Sequence, residues 1–147
     1  MPSRWSGRDT QTLSAAGMSA LLLASAAKHF DDPGFFAPVV PDFLCRDDTG
    51  DRANGPLAVL SRVEWVALSG LLEAGTAVGL LIPATRRAAA GCVAAMFTAF
   101  LAGHLDALRK AYGPDGTPGQ RRAHTLRLPL QAPLIAWAWS LRNLARR

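Results

Sequence analysis

The sequence predicts an all-α membrane protein: a bundle of four transmembrane helices with a Pro/Phe-rich interfacial segment after the first. Three observations predict it. Four apolar stretches divide the chain, about Leu13 to Ala27, Leu57 to Ile82, Ala88 to Leu108 and Leu128 to Leu144. A helix needs roughly 20 apolar residues to cross a bilayer core; the middle two stretches reach that length, and the outer two need their flanking residues. Charge is also segregated. Mean hydropathy is only +0.13, yet Ala88 to Gly103 carries no charge, and six Asp fall between Asp31 and Asp51. A soluble bundle would scatter charge along every helix. Finally, basic residues flank the apolar runs, as in Arg86-Arg87 and the tail Arg142, Arg146 and Arg147, which suits lipid headgroups and topology control.

The chain of 147 residues reads as one domain, 1–147. Helix one is expected over about 11–30. A rival reading makes this stretch a signal peptide, with Arg4 and Arg8 as the positive region and Ala24-Ser25-Ala26 as the cleavage site. Asp31-Asp32-Pro33-Gly34 stops the helix. Phe35, Phe36, Val39, Val40, Phe43 and Leu44 follow, broken by Pro38 and Pro41. That piece cannot span; it suits the interface or a cap over the bundle end. A polar loop over 46–55 leads to helix two, about 57–82, which Pro83 ends. The short link through Arg86-Arg87 makes helix three, about 87–108, its antiparallel neighbour. A Gly- and Pro-rich loop over 112–122 precedes helix four, about 127–145, with Pro129 in its first turn and a kink at Pro133. An even number of spans puts both termini on one side. The density of Arg4, Arg8, Arg86, Arg87, Arg142, Arg146 and Arg147 on the short segments there predicts that this side is cytoplasmic.

Composition excludes several function classes. The net charge is +5, but no helix carries a basic recognition face, so nucleic acid is not an expected partner. The two cysteines, Cys45 in a loop and Cys92 in an apolar helix, make neither a disulfide framework nor a CxxC motif. Cys92 reads as a small core residue. No metal site is expected, because the histidines and acids share no ligand spacing.

The informative residues are polar ones in apolar surroundings. Glu73 lies nine residues before Ile82, roughly 13 Å deep at 1.5 Å per residue. An acid at that depth should face the bundle interior. Arg62, Val66, Ser69, Glu73, Ala77 and Leu80 share one stripe of helix two, while Gly75 and Gly79 form a GxxxG on another. Helix three aligns Phe97, Phe100, His104 and Leu108, and helix four aligns Arg127, Gln131, Leu134 and Ala138. Four segments thus deliver His29, Glu64, His104, Arg127 and Gln131 to one end, with Glu73 below them and expected to contact Arg127 or Gln131. Trp137 and Trp139 read as an interfacial or lipid-facing pair.

These pieces resemble the DoxX-like family of small bacterial membrane proteins. The matching runs are His29-Phe30 with Pro33, Phe35, Phe36 and Pro41; Ser69 to Gly75 with Gly79 to Pro83 and Thr85-Arg86-Arg87; Phe97, Phe100 and His104; Arg127 to Gln131; and Trp137-Ala138-Trp139. They occur in the family's order over nearly the whole chain after residue ten, although the 46–55 loop is longer than usual. The resemblance implies a multi-pass plasma-membrane protein with an uncleaved first helix. It also implies a link to membrane sulfur or thiol redox systems.

Two functions follow as expectations. In one, the protein is a quinone-associated redox subunit working with a soluble redox or sulfur-handling enzyme. Glu73, His104 and His29 handle protons, Arg127 and Gln131 hydrogen-bond the quinone, and Phe97 and Phe100 flank its ring. In the other, the protein is a structural accessory in the lipid bilayer, with the same polar residues fixing helix packing, alone or in an oligomer.

Overall fold

A computed structural model describes residues 7–51 and 53–144. The chain forms α1 (Gly7–Asp31), three short 3-10 turns (Pro33–Phe35, Ala37–Val39, Asp42–Leu44), α2 (Arg62–Leu81), α3 (Arg86–Ala111) and α4 (Pro118–Leu144). No strand occurs among the described residues; Cys45 and Leu60 make one isolated parallel bridge. Arg4, Arg146 and Arg147, used above to orient the chain, lie outside the described residues, as does the side chain of Arg8.

The helix ends follow local chemistry that the apolar runs do not reveal. α2 starts at Arg62 rather than near Leu57 because Ser61 caps it. The Ser61 hydroxyl accepts from the Glu64 backbone N–H, and the Glu64 carboxylate accepts from the Ser61 N–H, a capping box. α4 starts at Pro118 rather than near 127. The Thr117 hydroxyl accepts from the Gln120 N–H, the Gln120 side-chain oxygen accepts from the Thr117 N–H, and proline fills the first helical position. Pro129 and Pro133 therefore both lie inside a helix. At the α2–α3 turn, Arg86 is buried and donates to the Leu80 and Leu81 carbonyls, satisfying the orphan acceptors of the preceding helix end.

α1 packs along α2 and α3 along α4; α2 and α3 join the two pairs, and α1 meets α4 over only a short stretch. The apolar core sits toward the end holding the α2–α3 turn. It is built from Met18 and Leu22 of α1, Leu80 of α2, Val93 of α3 and Leu141 of α4, among small alanines that let the helices approach. Trp137 belongs to this end and is not lipid-facing. Its indole N–H donates to the Ser14 hydroxyl at 2.8 Å, pinning α4 to α1. Trp139 is outward, with Arg142 over its ring. Cys92 is exposed rather than a core residue. Gly79 faces Ala89, while Gly75 has open space around it, so the GxxxG does not form one helix contact.

α2 and α3 are long and apolar enough to cross a membrane, yet only 28% and 39% of their apolar windows are buried within the chain. α1 and α4, of 25 and 27 residues, match that length without the same mean hydropathy. Their outward faces still carry Leu13, Leu21, Leu23, Leu126 and Leu130.

Candidate functional site

Toward the end away from the α2–α3 turn, the 3-10 segment packs against α1, α2 and α3. Beneath it is a cavity of about 400 Å³. Residue chemistry explains how that cover is seated. Proline at 33, 38 and 41 prevents a continuous helix, so the segment makes single turns and leaves carbonyls free. The Arg62 guanidinium takes those of Ala37 and Val40 and also binds the Asp42 carboxylate. Lys110 reaches Asp42 from α3 at 2.8 Å while also holding Asp106. The Trp65 indole N–H donates to the Leu44 carbonyl at 2.7 Å. Gly103 completes the seat: a Cβ there would run into the Val39 carbonyl oxygen. The bonds from Lys110, and secondarily Arg62, hold the Asp42 carboxyl below its ordinary range despite partial desolvation. Burial, in contrast, pushes the Cys45 thiol up, which leaves it a poor nucleophile.

All seven candidate residues line this one cavity: His29, Glu73, Phe97, Phe100, His104, Arg127 and Gln131. Their pairing differs from expectation. Glu73 is buried and inward, but its neighbour is on α1 rather than α4: His29 Nδ1 lies 3.6 Å from Glu73 Oε2. The same Nδ1 is 3.2 Å from the Ser25 carbonyl oxygen, so it carries the proton. The His29 ring stacks on Phe36 of the cover, 3.5 Å between centroids. Gly70 makes room for it, since a Cβ there would stand 2.8 Å from His29 Cβ. Across the cavity, Gln131 Nε2 is 3.1 Å from His104 Nε2. The ring proton sits on Nδ1 where the amide nitrogen faces the ring, and on Nε2 where the amide is turned over. Arg127 lies over the Phe35 ring, 4.1 Å from its centroid. Phe97 is buried and tilted against Phe100.

Two polar pairs thus face a mostly apolar space, one bridging α1 and α2 and the other α3 and α4, under an aromatic cover. Such a space suits a small, flat, amphipathic molecule, in a volume range common for ligand pockets. Among the described residues, no group of three His, Cys, Asp or Glu is placed to hold a metal ion. Glu64 does not join the site: it caps its own helix and faces Arg46. Sequence reasoning gave no cavity role to Phe36, Ser25 or Trp65, all of which line it. The His29–Phe36 stack was open to inference only as two aromatics either side of a turn. His124, also passed over, is buried at the rim of a neighbouring recess with Arg62 and Lys110.

No curated protein and no solved structure matches the chain. A family of undetermined activity matches over residues 18–142, and the chain belongs to it: the domain of unknown function DUF8561.

Proposed function

We propose that this is a four-helix, multi-pass plasma-membrane protein of DoxX-like type whose covered cavity takes a quinone headgroup. It would act as the quinone-associated part of a membrane sulfur or thiol redox system. The observation that carries this reading is an inverted polarity. The buried side chains include Ser19, His29, Glu73 and Gln131, while Leu71, Leu72, Val78 and Leu81 of α2 face outward with their counterparts on α1 and α4. Water would reward the opposite arrangement; lipid rewards this one. In α1 no charge lies between Asp9 and Lys28, and in α4 none between Arg127 and Arg142, so both helices can join α2 and α3 in the bilayer, their polar groups turned inward.

In the cavity, Arg127 and Gln131 are the groups that would hydrogen-bond a ring oxygen, with Phe97 and Phe100 against the ring. The His29–Glu73 pair and His104 would exchange protons with it. The sequence holds no CxxC or flavin motif, so electrons would pass to or from a partner enzyme through the bound quinone. A second reading is favoured by one feature: each polar pair joins two neighbouring helices, His29 to Glu73 across α1 and α2, and Gln131 to His104 across α4 and α3. That is also what a purely structural role requires.

Protein purified from native membranes, with its bound lipids extracted, separates the two. The quinone reading expects stoichiometric quinone in wild type and a loss of roughly tenfold or more in Arg127→Gln and His104→Ala, each of which removes a hydrogen bond to the ring. Wild-type protein without quinone, or variants that retain it fully, leaves the structural role standing.

A further inference from the structure

Three buried polar atoms of cavity-lining residues have no hydrogen-bond partner among the described residues: Glu73 Oε2, Gln131 Oε1 and His104 Nδ1. Glu73 is 3% exposed and Gln131 8%. An orphaned buried polar group is costly, so a ligand in the cavity that reaches these atoms gains the bonds they lack. Their chemistry is not symmetrical. The Gln131 oxygen can only accept. Glu73 Oε2 lies 3.6 Å from a nitrogen whose proton points to the Ser25 carbonyl, so His29 does not satisfy it. His104 Nδ1 is complementary to the free Gln131 amide atom: it donates beside a free amide oxygen, and with the amide turned over it accepts beside a free amide N–H, so the pair offers one donor and one acceptor either way.

We propose that the cavity selects ligands bearing ring hydroxyls, so that the hydroquinone form binds in preference to the quinone. This rests on the quinone reading above and deepens it. A quinone carbonyl has lone pairs and no proton: it can satisfy Arg127 and the donor of the His104–Gln131 pair but leaves the acceptor of that pair unmet. A hydroquinone hydroxyl does both, accepting from Arg127 or the donor of the His104–Gln131 pair and donating to that pair's acceptor. Selection of the reduced form also stabilises it thermodynamically. A tenfold preference raises the midpoint potential of the bound two-electron couple by about 30 mV.

The test is equilibrium binding of a decyl-substituted benzoquinone and, under argon, its hydroquinone, to the full chain in lipid nanodiscs. Hydroquinone binding about tenfold tighter is expected, the rough worth of one buried hydrogen bond. In Gln131→Leu, which keeps the shape and loses the acceptor, the ratio should fall toward one. The wild-type ratio is decisive even where a variant misfolds. If both forms bind and the quinone binds equally well or better, the selection of donors is wrong while the quinone site survives. If neither binds, the quinone reading fails and takes this inference with it.

Discussion

Glu73 shows what a single residue can and cannot announce. That it turns inward follows from the cost of an acid at mid-depth, and the stripe Val66, Glu73, Ala77 and Leu80 is the buried face of α2. Its partner was not legible. Helical periodicity fixes a face but not which neighbour lies opposite, and the deciding feature is a missing side chain: Gly70, a turn before Glu73 on α2, gives His29 the space to reach the carboxyl. Replacing Glu73 by Gln keeps a hydrogen-bonding group beside His29 and the Ser25 hydroxyl, whereas Leu leaves that hydroxyl without its partner. We expect Glu73→Leu to lose about 1–3 kcal/mol of stability, the cost of an unsatisfied buried group, and Glu73→Gln clearly less. Thermal unfolding in detergent measures both; equal losses would mean that the His29–Glu73 contact contributes nothing.

The element that organises the site is the 3-10 segment. Its inability to span was readable from Pro33, Pro38 and Pro41, and so was its place at the bundle end. Its attachment was not, because Arg62, Trp65, Gly103 and Lys110 are scattered over two helices and mostly act on backbone carbonyls that carry no sequence signal. The start of α4 was missed for a different reason: Thr117-Pro118-x-Gln120 is a capping signal, but the polar first turns after it look like loop when judged by hydropathy. Asp42 makes the cover sensitive to acid. Its carboxyl titrates below its ordinary value near 3.8, so the grip of Lys110 and Arg62 is complete above that value. It is lost as pH falls through the lower, folded-state value. Trp65 reports on this through its bond to Leu44. Its emission, taken as the difference from a Trp65→Phe variant, should change only in acid. Asp42→Asn should show the acid-like signal already at neutral pH; a pH-independent difference signal in wild type would dismiss the latch.

For the molecule as a whole, the all-helical architecture and the order of its helices were legible from four apolar runs, because burial and lipid both demand them. The relative weight of those runs was less so: the polar residues that dilute α1 and α4, Ser14, Ser19, Ser25 and Gln131, are the ones turned inward. The proposed four-span arrangement puts the 46–55 loop and the 112–117 link outside the cell. With Cys45 and Cys92 replaced by Ser, an impermeant maleimide should label Gly55→Cys and Asp115→Cys in intact cells, and Gly7→Cys only after permeabilisation. Gly55 and Asp115 are both exposed, and nothing crowds the place of a new side chain at Gly55. The reverse pattern would invert the orientation, and labelling of all three in intact cells would remove the four-span reading.

The tie between Trp137 and Ser14 has a kinetic meaning. α1 and α4 share few contacts, and this bond fastens them on the α2–α3-turn side of the cavity, so the seam between them is lightly packed and, in a bilayer, faces the acyl chains. A ligand would then arrive sideways, out of the hydrocarbon, without ever crossing water at the binding step. The quantity that governs occupancy becomes its mole fraction in the bilayer. Adding empty lipid at constant total ligand should lower occupancy in proportion, while raising lipid and ligand together should leave it unchanged. Occupancy that instead follows the free aqueous concentration would place the doorway at the cover.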